Sequence, residues 1–157
     1  MKKTIFLLFI IFFSNSIHSQ SKIISSEKIF FLKEKYKWEN DDILLINFFF
    51  PQENCFYNQY ENLHKSLDWF ENNIYSKIDL NQIKKINVFT DKFIAKNMID
   101  NSTSFEDFND FFKNDLLKDF QNCHAIIAIN KKGYFEFKVG EYSEKDVKTI
   151  ITKLKKL

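Results

Sequence analysis

The run Ile43-Leu44-Leu45-Ile46-Asn47-Phe48-Phe49-Phe50 constrains this chain more than any other stretch, because it is apolar almost throughout and shows no polar–apolar alternation. A strand of that composition has to be covered on both faces, as in the interior of a parallel sheet. Pro51 comes next and ends it, since proline brings no amide hydrogen to a ladder. Pro51 is also the single proline, and no repeat or Gly/Ser-rich linker divides the remainder of the chain, so one domain is expected.

Apolar spacing places the other elements around that strand. Ile29, Leu32 and Tyr36 have helical spacing, although Ile29 to Leu32 would also make a strand; the reading over Ile29 to Trp38 leans to helix. Tyr60, Leu63, Leu67, Phe70 and Ile74 recur at three and four and mark one face of a long helix. Lys85 to Thr90 reads as a second strand and Asp91 to Ile99 as a short helix. Thr103 and Glu106 have the spacing of a capping box, which opens an amphipathic helix over Phe105, Phe108, Phe112, Leu116 and Phe120. Ala125 to Ile129 and Tyr134 to Val139, joined by Asn130-Lys131-Lys132-Gly133, read as an antiparallel hairpin. Ser143 then caps a closing helix with Val147, Ile150, Ile151 and Leu154 inward and lysines in its last turn. Residues 20 to 28 are polar and expected to be loose.

The amino terminus has the order of a secretory leader. Lys2 and Lys3 precede an apolar run from Ile5 to Phe13 and a polar stretch ending in Ser19. That run is far shorter than the ~20 residues that cross a bilayer as a helix, so cleavage after Ser19 and release of a chain beginning at Gln20 are expected, in the periplasm or outside the cell. No cysteine lies near Ser19 to carry a lipid. Once Lys2 and Lys3 are removed, the net charge of +2 falls to zero, which gives no bulk attraction to nucleic acid. Every basic residue is lysine, so the bidentate arginine clamp for phosphate is missing.

Strand, loop with Cys55, long helix, strand, helical segment, strand, Asn-Lys-Lys-Gly turn, strand and closing helix: this order resembles the thioredoxin fold, and in particular the exported thioredoxin-like proteins of bacterial envelopes. The local matches are Leu45-Ile46-Asn47-Phe48, similar to the first core strand, and Ile127-Ala128-Ile129-Asn130-Lys131-Lys132-Gly133, similar to the third strand and its turn. The resemblance implies a three-layer α/β/α sandwich around a central mixed sheet over residues 42–157, preceded by an extension at 20–41 and the leader at 1–19. In that family a Cys-x-x-Cys motif sits between first strand and long helix, faced by a cis-proline just before the third strand. Here the segment is Cys55-Phe56-Tyr57-Asn58, and His124 stands about where the proline would be. The local dithiol therefore cannot form, and a cis peptide without proline would cost about 2.5 to 4 kcal/mol.

The resemblance places Cys55 at the positive end of the long helix, where backbone amides favour a thiolate, and Cys123 beside it across the fold. Two readings stay open. In one, Cys55 attacks and Cys123 resolves in thiol–disulfide exchange with a protein thiol or disulfide partner. In the other, the fold is a redox-inert binding module and the cysteines are packing or a structural bridge, the only pairing two cysteines allow. If the fold holds, their Cα atoms should lie within about 4.4 to 6.8 Å. Neither reading calls for a cofactor. Cys55, Cys123 and His124 would together offer three ligands to zinc or a soft copper ion, without any close-spaced ligand motif. His64 reads as solvated, and Asp41-Asp42 and Asp107/Asp110 as a loop and a helix face with no cleft and no acid–base role. Asn101-Ser102-Thr103 matches the glycosylation triplet, which has meaning only in a eukaryotic secretory pathway.

Overall fold

The computed structural model describes residues 22–50, 55, 59–118 and 122–157. The expected leader, Pro51 with its loop, Asn58 and Phe120 lie outside the described residues. The elements are β1 (Lys22–Ile23), α1 (Ser26–Lys35), β2 (Ile43–Phe49), α2 (Tyr60–Asn73), β3 (Ile83–Phe89), β4 (Ser104–Glu106), β5 (His124–Asn130), β6 (Tyr134–Val139) and α3 (Glu144–Lys155). They build one mixed sheet of six strands in the order β1-β6-β5-β2-β3-β4.

The apolar run at Ile43 does what its composition demands. Every residue of β2 is buried, and the strand lies between parallel β3 and antiparallel β5, with Ile46 opposite Ile86 on one side and Ile127 on the other. Its alternate side chains enter two cores. Leu44, Ile46 and Phe48 pack with Leu32, Tyr36 and Trp38 from α1 and the turn after it. Ile43, Leu45 and Phe49 pack with Leu63 and Phe70 of α2 and with Val147, Ile151 and Leu154 of α3. Helices thus cover both faces, and each large apolar side chain so buried contributes about 1.5–3 kcal/mol. The hairpin forms as expected, with Ile127 opposite Phe137. So does the cap of α3: Ser143 Oγ accepts from the Asp146 amide while the Asp146 carboxylate accepts from the Ser143 amide.

Three stretches differ from the sequence expectation. Residues 22–28, within the stretch expected to be loose, form β1 and the start of α1, and the free edge of β6 takes up the first of them: Lys22 and Ile23 pair with Phe135 and Tyr134, and the Ile24 amide donates to the Gly133 carbonyl at 3.0 Å. Gly133 has φ +90°, and a Cβ there would stand 2.7 Å from the Ile24 carbonyl oxygen. Only glycine satisfies both the turn and that close approach. From the span expected as an extension before the domain, Leu32, Tyr36 and Trp38 are fully buried and pack in the same core as β2.

Asp91 to Ile99 forms a series of turns rather than a helix: Asp91 Oδ1 caps the Phe93 and Ile94 amides as at a helix start, but the Met98 and Ile99 amides both turn to the Ala95 carbonyl and no regular ladder follows. The segment from Thr103 departs furthest. The Thr103 amide and hydroxyl bond the Asp100 carboxylate, so no capping box with Glu106 forms. Ser104–Glu106 instead pairs in parallel with β3. A 3₁₀ turn at Phe108–Asp110 and a π-helical turn at Phe112–Leu116 then stand where a continuous helix was expected.

Candidate functional site

Parallel β2, β3 and β4 end at the same edge of the sheet at which antiparallel β5 begins. That edge carries the cysteines. The Phe50 amide donates to the Cys123 carbonyl at 2.8 Å, adding one rung to the β2/β5 ladder beyond Phe49 and His124. Cys123 is thereby held beside the exit of β2. Cys55, in the connection after β2, is bridged to it in a disulfide with Cα atoms 5.6 Å apart, inside the expected window. Cys55 does not begin the long helix, however. Helix α2 starts at Tyr60 with Gln59 as its cap, so the dipole argument for a Cys55 thiolate has lost its geometric basis. Cys55 is 7% exposed and its Sγ lies 3.9 Å from the Phe50 carbonyl oxygen, a contact that becomes a hydrogen bond only when the sulfur carries a proton. Cys123 is half-buried.

His124 is buried on the α2/α3 face, edge-on to Phe70 at 5.4 Å and to Tyr142 at 5.9 Å. Burial pushes its pKa below the usual histidine value, against the opposing charge of Glu141. The Cys123–His124 peptide is trans, as are all the described peptides. With both sulfurs in the disulfide, His124 has no thiolates beside it, and the described residues contain no cluster of three or more His, Cys, Asp or Glu side chains arranged to hold a metal ion. His64 is exposed and contacts Asp68 at 3.1 Å.

Two features of the site were missed in the sequence. The first is a chain of hydrogen bonds under the sheet on the α2/α3 side. Tyr75 donates to the Tyr142 hydroxyl at 2.8 Å, Tyr142 to Asn47 Oδ1 at 2.7 Å, Asn47 to Asn87 Oδ1 at 3.3 Å and Asn87 to Ser104 Oγ at 3.4 Å. Asn47, the lone polar residue of the apolar run, was the visible signal. The chain ties α3's approach, the turn after α2 and the three parallel strands together, and burial keeps Tyr75 protonated as a donor.

The second is an open cleft of about 650 Å³ at the carboxyl ends of β2, β3 and β4, lined by Phe50, Asp91, Phe93, Glu106, Phe108 and Asp110 among others. The Asp107/Asp110 pair, read from sequence as a helix face without a cleft, lies in its wall. Asp107 is 8% exposed and accepts from the Phe112 and Lys113 amides at 3.0 and 3.1 Å, closing the π-helical turn. Burial raises its pKa from 3.8 to about 6, opposed by those two hydrogen bonds and reinforced by the charge of Asp110.

Asp107 carries a stability prediction. The folded state keeps a proton that the unfolded chain releases between pH 4 and 6, so this group weakens folding as the pH rises through that window. His124 acts in the opposite sense, since its lowered pKa costs stability as the pH falls below the unfolded value of 6.5. Asp107→Asn isolates the first effect. From pH 4 to 6 the variant should gain on the wild type by roughly 2 kcal/mol, out of the roughly 3 kcal/mol that moving the pKa from 3.8 to about 6 amounts to over the whole titration. Urea midpoints across the range measure it, and parallel pH profiles for the two proteins would refute it.

No family model matches this chain, and no curated protein matches it. Among solved structures it is similar to the solution structure of a putative thioredoxin from Neisseria meningitidis, at 16% identity and a TM-score of 0.43, over 76% of this chain and 77% of that one. A similarity of that extent says nothing about chemistry.

Proposed function

We propose that this chain is an exported protein with a thioredoxin-like α/β/α sandwich, and that it takes part in thiol–disulfide exchange through its Cys55–Cys123 pair with a protein thiol as partner. The observation that carries the reading is the bridge itself. It joins the connection after β2 to the residue before β5, the two places where the thioredoxin fold brings its reactive cysteine and its proline loop face to face. Cys123 is the less buried residue of the pair, half-buried against 7% exposure for Cys55, and is the side from which an attacking thiolate has more access.

The burial of Cys55 and the presence of Asn58 in place of a second local cysteine favour a different reading, a redox-inert binding module stapled by a structural disulfide. The reduction potential separates the two. Exchange requires a midpoint no lower than about −270 mV in glutathione buffers, whereas a structural bridge resists reduction to below about −300 mV. A value in the lower range would sink the exchange reading. Export is tested separately by the intact mass of the secreted product, which should begin within about two residues of Gln20; recovery of a chain starting at Met1 would overturn it.

A further inference from the structure

We infer that the partner of this disulfide is a cysteine in a basic and apolar peptide segment, that the segment lies in the cleft at the carboxyl ends of β2, β3 and β4, and that its thiolate attacks Cys123. The inference rests on the exchange reading and reverses the roles expected from the sequence. Phe50 joins cleft and disulfide. Its side chain lines the cleft, its amide holds the Cys123 carbonyl at 2.8 Å and its carbonyl oxygen lies 3.9 Å from Cys55 Sγ. Phe50 thus has its side chain on the cleft and its backbone on both cysteines. Cys55 is 7% exposed and Cys123 half-buried, so access selects Cys123.

The lining sets the chemistry of the segment. Phe50, Phe93 and Phe108 give it aromatic surface, and Phe93 is 81% exposed, an arrangement that covers an apolar side chain or the stem of a lysine. Carboxylates of Asp91, Glu106, Asp107 and Asp110 outnumber the ammonium groups of Lys92 and Lys113. Lys92 faces Glu106 at 3.7 Å and Lys113 lies over the Phe50 ring at 5.2 Å, so the lysines are occupied within the cleft. The surplus is negative, and a segment carrying lysine or arginine beside its cysteine is the complement.

In the exchange step the partner thiolate forms a bond to Cys123 Sγ and the Cys123–Cys55 bond breaks. Cys55 leaves with the electron pair and takes up the proton that the partner thiol gave up, whereupon its S–H can donate to the Phe50 carbonyl. A partner with a second thiol then attacks the mixed disulfide at its own sulfur, releasing Cys123 as a thiol and leaving the partner oxidised. One disulfide and two hydrogens have changed places.

The test uses the oxidised mature chain and the capped peptides Lys-Phe-Cys-Lys and Glu-Phe-Cys-Glu, with serine replacing cysteine in a third, basic peptide and a fourth, acidic one. The basic thiol should open the bridge about tenfold faster than the acidic one at low salt, with the gap closing as salt rises. Acid quenching, alkylation and mapping should find the peptide on Cys123 and the alkyl group on Cys55. Phe93→Ala and Asp110→Asn, the latter keeping a residue that tolerates the left-handed backbone at that position (φ +50°), should each lower the basic peptide's rate and its serine analogue's binding. Equal rates for the two charges, or an adduct on Cys55, would overturn the inference while leaving exchange intact. If no thiol opens the bridge but the basic serine peptide still binds better than the acidic one, the exchange reading fails and the cleft stands as a docking surface.

Discussion

Reduction of the Cys55–Cys123 bridge is expected to lower the folding free energy by roughly 4 kcal/mol while leaving the native sheet in place. The bridge spans 68 positions of sequence, and in the chain-entropy model closing a loop of that size restricts the unfolded chain by roughly 4 kcal/mol. The folded state loses little, because the Phe50–Cys123 backbone bond and the whole β2/β5 ladder persist without the sulfurs. Urea unfolding with and without reductant gives the energy, and far-ultraviolet circular dichroism of the reduced protein before urea gives the structure. Unchanged midpoints, or loss of the sheet on reduction alone, would each contradict this account. The double variant Cys55→Ala/Cys123→Ala should behave as the reduced protein does.

Tyr142→Phe is the second large effect, at roughly 2–4 kcal/mol. Tyr142 receives from Tyr75 and donates to Asn47, so removing its oxygen deprives a buried donor and a buried acceptor of this partner, each costing about 1–3 kcal/mol. Tyr75→Phe ends the same chain at its first member. Tyr142 still donates to Asn47, and only about 1 kcal/mol should be lost. The asymmetry between two Tyr→Phe changes 2.8 Å apart is the diagnostic, because burial and volume change little in either. Equal losses in thermal or urea unfolding would mean that the directed chain of hydrogen bonds is not what holds these hydroxyls.

The parts legible in the sequence were those in which one pattern admits one structure. An unbroken apolar run had to be a strand covered twice, and β2 is buried from Ile43 to Phe49. Ser143 and Asp146 could cap only the helix beginning at Glu144, and the Asn130–Gly133 turn had apolar residues on both sides to pair. The failures came where one spacing admits several structures. Phe105, Phe108, Phe112 and Leu116 stand three and four apart, yet Phe105 reaches the core from an edge strand and Phe112 and Leu116 from a π-helical turn. Aspartate side chains decided that outcome: Asp100 takes the Thr103 and Ser104 amides, Asp107 those of Phe112 and Lys113, and local spacing does not reveal which amide a carboxylate will choose. Pairing of Cys55 with Cys123 was the only bridge two cysteines allow, but their unequal exposure and the cleft beside them belong to tertiary structure and left no mark on the sequence.

The place of β1 bears on the order in which the chain acquires its shape. The first strand in the sequence pairs with the sixth, and β2 needs β5 as well as β3. A ribosome therefore releases Lys22 and Ile23 long before Tyr134 and Phe135, their hydrogen-bonding partners, exist. The fully buried Tyr36 and Trp38 wait likewise for Phe105 and Phe112. A fragment ending before β5 lacks the partner of β1 and one of the two neighbours of β2, and loop closure over such separations is slow. The sheet therefore has its full set of strand partners only once the last hairpin has been made.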